Sequence, residues 1–483
     1  MDDIGQGKFG GPFPDFFGDL LKMLNTGSPI QWELAVQLAE SVANAGFDSG
    51  SDEVEPVDRI RLEELYPIAE LHVSDIMGMD TRGGHKPLAI STVNRSRWIR
   101  TNISSWKPLL EKIAQAIIAT ETLESEDVSS VQTEDVALAP NSETDDHRDK
   151  SPEQTSLKNQ DSENTATNKE GLNLDGLDLE GLGLSDLANI PFDLSMLSGE
   201  ERSTLSADEE NSVSEESNDQ WPLMLSQWAQ VIAPTMLAMQ IGSIMGRLAR
   251  YCLGGYDFPL PKENSNEIVL IPQNIKKFSS DWSIPLAECE IYIAAGDIAL
   301  QAILSRDHIR DYLTNLLVSY AQHINPDPSV LEERIRGLSQ FDIPNMTQIM
   351  SDPTIFDESR GSDKLLRIKK EIETFTAVLL GYADWVSDAA SKRLIANNTA
   401  IKEALKRRRV ERGPDERAAE NFFGLNLTQD ILEKGSAFIS GVLERGGESE
   451  LAALWTKKEF LPTSNEVEAP GLWLERIRLD IDL

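Results

Sequence analysis

Helical periodicity dominates this chain. Leu34, Leu38 and Val42 fall at i, i+4 and i+8, which predicts a helix over 32–45 with one apolar face. Leu62, Leu65, Ala69, Leu71 and Val73 repeat the pattern over 58–77, with Asp58 as the expected cap. A third helix is expected at 106–119, with Pro108 near its start. Beyond residue 220 the same reading gives helices at 223–251, 286–304, 307–322, 329–337, 364–396, 398–410 and 428–446. The helix at 286–304 buries one side through Ile291, Ala295, Ile298, Ala299, Ala302 and Ile303. One run reads differently. Glu267-Ile268-Val269-Leu270-Ile271 is rich in β-branched residues and closed by Pro272, so a short strand is expected over 267–271. The predicted fold is mainly α with a small β element.

Between 121 and 219 the periodicity stops. Ser, Glu, Asp, Asn and Thr dominate and aromatic residues nearly vanish, so this stretch has too little apolar surface to offset the entropy of ordering. The expected organisation is therefore an N-terminal helical lobe (1–120), a long disordered acidic insert (121–219) and a C-terminal helical lobe (220–483). Inside the insert a five-residue repeat runs from Gly171 to Ser185, with leucine alternating with small or acidic residues. It is too short for a solenoid, whose periods are roughly 20–50 residues, and reads as a linker with a few sticky positions.

Charge narrows the function classes. The net charge is −36, and the stretch from Glu121 to Gln220 alone holds 27 acidic and 5 basic residues. Such a balance argues against general affinity for nucleic acid or anionic membranes. Two cysteines, Cys252 and Cys289, form no disulfide framework and suit a reducing, cytoplasmic setting. The first residues are acidic, without the basic region that opens a secretory signal. The run 220–246 is uncharged, but Gln227, Gln230, Pro234 and Gln240 weaken it as a membrane span. Gly242 and Gly246 form a G-x-x-x-G pair that lets two helices approach closely, which a buried helix pair satisfies as well.

Candidate chemistry is sparse. The five histidines are His72, His85, His147, His308 and His323, and none lies four residues from another. Asp307, His308 and Asp311 cluster on one helical turn, and Asp384 and Asp388 stand at i and i+4. Either grouping could offer oxygen ligands, but solvated polar helix faces account for both. His72 is expected to pack at a core boundary. The basic run Lys406-Arg407-Arg408-Arg409 sits near a helix C-terminus, where cations suit the dipole, with Glu403 and Glu411 close by. Gly254-Gly255 is expected to cap the helix before it. No Gly-rich phosphate loop or nucleophile elbow is present.

Several segments, in order, resemble a known family. They include Pro29-Ile30-Gln31-Trp32-Glu33-Leu34-Ala35, Asp58-Arg59-Ile60-Arg61-Leu62-Glu63-Glu64-Leu65 and Ala69-Glu70-Leu71-His72-Val73. Trp98 and Trp106-Lys107-Pro108-Leu109 follow, then Gly255-Tyr256-Asp257-Phe258-Pro259-Leu260 and Asp281-Trp282-Ser283-Ile284-Pro285. Arg407-Arg408-Arg409, Leu461-Pro462-Thr463 and Ala469-Pro470-Gly471-Leu472-Trp473-Leu474 close the series. Together they resemble the actinobacterial zincin-like metallopeptidase family, labelled as hydrolases associated with deazaflavin-coenzyme biosynthesis.

The resemblance implies a zincin-like helical architecture and a helix carrying H-E-x-x-H. Two imidazoles at i and i+4 share one face and hold zinc, and the glutamate acts as general base. Counted back from His308-Ile309-Arg310, the first histidine falls on Gly296, the glutamate on Asp297 and the second histidine on Leu300. A further family ligand, a glutamate just before glycine and an aromatic residue, falls on Leu380 in Leu379-Leu380-Gly381-Tyr382. Only Asp297 keeps a carboxylate. Zinc is the family's cofactor, and none is expected here. Two functions remain open. One is an inactive member kept as a binding or scaffold protein for a peptide or protein partner, with an extended chain adding along 267–271. The other is an active, atypical metal-dependent hydrolase using Asp297 with ligands recruited from elsewhere.

Overall fold

A computed structural model describes residues 28–45, 53–79, 81, 88–130, 220–263, 266–324, 363–395 and 398–481; for 118–130, 220–233, 414 and 415 it describes the backbone alone. The chain is mainly helical with one small sheet. In order, α1 is Trp32–Asn44, α2 Pro56–Met77, β1 Ala89–Thr92, α3 Arg95–Ser130 and α4 Gln220–Tyr251. There follow β2 Glu267–Leu270, α5 Pro272–Asp281, α6 Leu286–Leu304, α7 Asp307–Ala321 and α8 Asp363–Leu394. Last come α9 Thr399–Val410, α10 Pro414–Phe422, α11 Gln429–Ala452, α12 Ser464–Glu468 and α13 Pro470–Ile481. The expected helix at 329–337 and the acidic repeat lie outside the described residues, as do His85 and His147.

Two local expectations are corrected and one helix is added. Asp58 is not the cap of α2. Pro56 opens that helix, where its missing N–H costs nothing, and Asp58 sits in the first turn, buried between Arg61 at 2.8 Å and Lys276 at 2.7 Å. Helix α3 starts well before Pro108 because Asn94 caps it: Asn94 Oδ1 accepts the Arg97 N–H at 2.8 Å. Pro272 closes the strand but also begins α5, a helix the apolar pattern does not announce.

The sheet pairs β1 and β2 in parallel, from Ala89 opposite Glu267 to Thr92 opposite Leu270. Ile268, Val269 and Leu270 are fully buried. One edge of β2 is taken by β1, while Leu270 bridges to Gly254 and the Ile271 N–H donates to Leu253 O at 2.9 Å. An extended peptide adding along 267–271, as expected above, finds that strand already paired.

Segments on both sides of 131–219 meet in one hydrophobic core, with Trp98, Trp106, Trp455 and Trp473 fully buried in it. The closest helix contacts use glycine. On α4, a Cβ at Gly242 would sit 2.7 Å from the Ala35 carbonyl oxygen of α1, and one at Gly246 would sit 2.6 Å from that of Ala39. The G-x-x-x-G pair is thus a packing seam between α1 and α4. No helix among the described residues is long and apolar enough to cross a membrane. Gly381 of α8 and Gly435 of α11 bring a second helix pair into backbone contact.

Candidate functional site around Asp297

Helix α6 is buried on nearly every side, so its polar residues must find partners inside the protein. Asp297 is 5% exposed. Its Oδ2 accepts the Gly255 N–H at 2.9 Å. One turn on, Gln301 lies on the same face and accepts a hydrogen bond from the Tyr256 hydroxyl. Opposite them runs the Gly254-Gly255-Tyr256 turn after α4. These glycines are not left-handed caps, as the sequence suggested; both have ordinary negative φ. They are small because of what lies against them. A Cβ at Gly254 would overlap the Asp297 carboxylate, and one at Gly255 would stand 2.7 Å from Lys262 Nζ.

Lys262 is the residue that sequence reading missed. It follows the apolar, proline-rich run Phe258-Pro259-Leu260-Pro261 and carries no motif. In the structure it is buried, with its ammonium 4.0 Å from the Tyr256 ring centre and 5.7 Å from that of Trp106. Cation–π attraction on two rings partly replaces the lost hydration. Trp98 packs edge-on against Trp106 and donates from Nε1 to the Gly254 carbonyl at 3.0 Å, fixing the turn.

The electrostatics follow from burial. Desolvation pushes the Asp297 carboxyl up to about 7, reinforced by nearby Asp257 and opposed by Lys262 and the backbone N–H groups. Desolvation pulls the Lys262 ammonium down to about 8, and Asp297 opposes that. Burial also raises the Tyr256 phenol far beyond neutrality, so it stays a neutral donor. Each charged form thus partly opposes the effect of burial on the other.

The remaining expected positions are placed as follows. Gly296 faces α8, where a Cβ would sit 3.1 Å from Ser387 Oγ; Leu300 is one turn further along α6, and both it and Leu380 of α8 are buried. Asp307 and Asp311 flank Arg310 at 2.6 and 3.9 Å, while His308 Nε2 lies 3.1 Å from Trp455 O. Asp384 pairs with Arg409 at 2.7 Å. Asp388 bonds Lys392 and Lys402, which hold it below the usual carboxylate range despite partial burial. His72 is half-buried, at a core boundary as expected. The basic run is divided: Arg408 turns inward to Asp257 at 3.3 Å, while Arg407 bonds Glu403 at 3.0 Å on the surface.

A family profile described as zincin-like metallopeptidase matches residues 30–172 and 195–474. The chain belongs to this zincin-like metallopeptidase family. Comparison with curated proteins finds no match. Among solved structures, a protein from Chloroflexus aurantiacus described as a "putative hydrolase with a novel fold" is similar at 14% identity, with a TM-score of 0.50. The likeness covers 93% of this chain and 99% of that one, and it speaks to the fold alone.

Membership implies zinc, and the side chains present do not fit it. At the positions that the resemblance gives to the ligands, Gly296, Leu300 and Leu380 offer no donor atoms, and the Asp297 carboxylate accepts the Gly255 N–H. Among the described residues no three His, Cys, Asp or Glu side chains converge as a metal site would require.

Proposed function

We propose that this chain is a zincin-like family member whose zinc-binding motif has been replaced, and that it serves as a binding or scaffold protein. The observation that carries this reading is the fate of Asp297. In the position that the resemblance gives to the general base, the carboxylate is buried, hydrogen-bonded to a backbone N–H and balanced by Lys262. A base in that state cannot reach a water or a substrate. The resemblance further supports an actinobacterial member linked with deazaflavin-coenzyme biosynthesis. The cytoplasmic setting is supported by two buried, unpaired cysteines.

The alternative, an active atypical hydrolase, is favoured by one observation: a carboxyl raised to about 7 is tuned as a base near neutrality should be. Metal content separates the two. The purified chain is expected to hold no stoichiometric zinc by mass-spectrometric metal analysis. One tightly held zinc per chain, lost together with peptidase activity on chelation, would overturn the proposal.

Rewriting the motif tests the placement. Gly296→His, Asp297→Glu and Leu300→His put two imidazoles on the α8 side of α6, with Ser387→Ala to make room at Gly296. Zinc affinity should rise at least tenfold over the parent, and again when Leu380→Glu is added. A folded variant that binds zinc no better than the parent would show that Gly296 and Leu300 do not line one pocket.

A further inference from the structure

Arginines drawn into this protein are mostly spent on acids. Arg61, Arg409 and Arg412 meet Glu290, Asp384 and Glu420 at 2.6, 2.7 and 2.6 Å. Arg306, half-buried in the turn between α6 and α7, forms no ion pair among the described residues. Its Nε is buried without a hydrogen-bond partner, and its Nη2 donates to the Met79 sulfur at 3.3 Å. A thioether is a weak acceptor, so the protein side of this guanidinium is poorly satisfied. Both partners are held by their main chains. Met79 follows the left-handed Gly78, whose N–H bonds Ser74 O at 3.0 Å, and its own carbonyl accepts the Ser74 hydroxyl at 3.3 Å. The Arg306 carbonyl accepts the Ile309 and Arg310 N–H groups at 3.0 and 2.8 Å. Met79 is half-buried, whereas Met77 and Met245 are each 1% exposed.

We propose that Met79 is a reversible oxidation site and that its sulfoxide is held by Arg306. Hydrogen peroxide supplies the oxygen. A sulfur lone pair attacks one peroxide oxygen, the S–O bond forms as the O–O bond breaks, and the expelled hydroxide takes up the remaining peroxide proton and leaves as water. Sulfur gives up two electrons and the peroxide takes them. Reduction by a pair of thiols returns the thioether, with a disulfide and water as the other products. In an ordinary buried setting this change disrupts packing, because the new polar oxygen has no partner. Here the oxygen forms beside a cation that lacks an acceptor, and hydrogen bonds from charged donors are the stronger kind. The contact joins residues 227 positions apart, so oxidation ties the end of α2 more firmly to the start of α7. This inference is independent of the reading of Asp297.

The test treats the full, folded chain with hydrogen peroxide and maps its peptides by mass spectrometry. Met79 should gain one oxygen roughly fivefold or more faster than Met77 and Met245. Stability is then compared with Met79→Leu treated in the same way, which cancels oxidation elsewhere in the chain. In the parent, oxidation of Met79 should leave the melting temperature unchanged or raise it. In Arg306→Leu, compared with its own Met79→Leu counterpart, the same oxidation should lower it by about 3 °C or more. Met79→Gln puts a neutral amide oxygen near the place of the sulfoxide. It should be tolerated beside Arg306 and destabilising in Arg306→Leu, which reads the same contact without oxidation. An equal change in both backgrounds would overturn the proposal, because Arg306 would then play no part. So would Met79 reacting no faster than Met245, since the sulfur would then be closed to peroxide.

Discussion

The Asp297–Lys262 pair makes a prediction that depends only on where protons sit. Between about pH 4 and 7 the folded chain keeps a proton on Asp297 that the unfolded chain has released, so this group's contribution to stability falls as pH rises. Between about pH 8 and 10 the folded chain lacks a proton on Lys262 that the unfolded chain holds, so stability recovers as pH rises. The pair is costliest near pH 7–8, where both groups are charged. Asp297→Asn with Lys262→Met removes both slopes. Urea unfolding at pH 5, 7.5 and 9.5 should therefore show the double variant gaining on the parent most at pH 7.5, with slopes of roughly 1 kcal/mol per pH unit. A pH-independent difference would mean that neither group titrates in this range. Lys262→Met alone leaves a buried carboxylate unbalanced and should cost about 3–5 kcal/mol near pH 8, more than the double change. At this scale the sequence marks Asp297 through the family pattern and misses Lys262. The ammonium and the Tyr256 ring lie in the connection after α4 and the Trp106 ring lies on α3, and no local spacing records their meeting. Yet Trp98, Trp106, Gly255 and Tyr256, which carry part of the resemblance, all surround this pair.

Elements meet most tightly where glycine replaces a side chain. At Gly435 a Cβ would overlap the Ala377 carbonyl oxygen, and at Gly381 it would stand 2.5 Å from the Gly435 carbonyl carbon. Neither obstacle is a flexible side-chain end, so the α8 and α11 backbones would have to separate. Gly435→Ala should destabilise by about 3 kcal/mol or more in chemical denaturation. Gly471→Ala, which meets nothing within 4 Å on α13, should be neutral or slightly stabilising. Equal effects would show that α8 and α11 are not so closely packed. The α1–α4 seam was readable as G-x-x-x-G because both glycines lie on one helix. The α8–α11 seam was not, since its two glycines stand 54 positions apart on different helices. Helix α2 was read as an ordinary amphipathic helix with Leu71 facing in. Two apolar faces blur the contrast that periodicity depends on, and Leu71 is in fact exposed.

For the whole molecule, the mainly helical class with a small β element is as the sequence indicates. The topology is less legible: β1 is four residues long, and its partner β2 begins 175 residues later. No local pattern announces a parallel pair with such a crossover. The family match itself runs into the acidic stretch on both sides, leaving 173–194 outside. Composition still makes a prediction for 131–219. It holds 23 acidic and 5 basic residues, half of the net charge of −36, and little apolar surface to bury. Helices α3 and α4, which bracket it, already pack against each other, so a flexible linker of about 20 residues can join them. Loop closure changes slowly with length and should alter stability by less than about 2 kcal/mol, in favour of the shorter chain. Lower net charge also reduces self-repulsion in the compact state. The shortened chain should melt within about 5 °C of the parent by calorimetry. A larger fall would show that the leucine repeat from Gly171 to Ser185 packs on the folded part and contributes to its core.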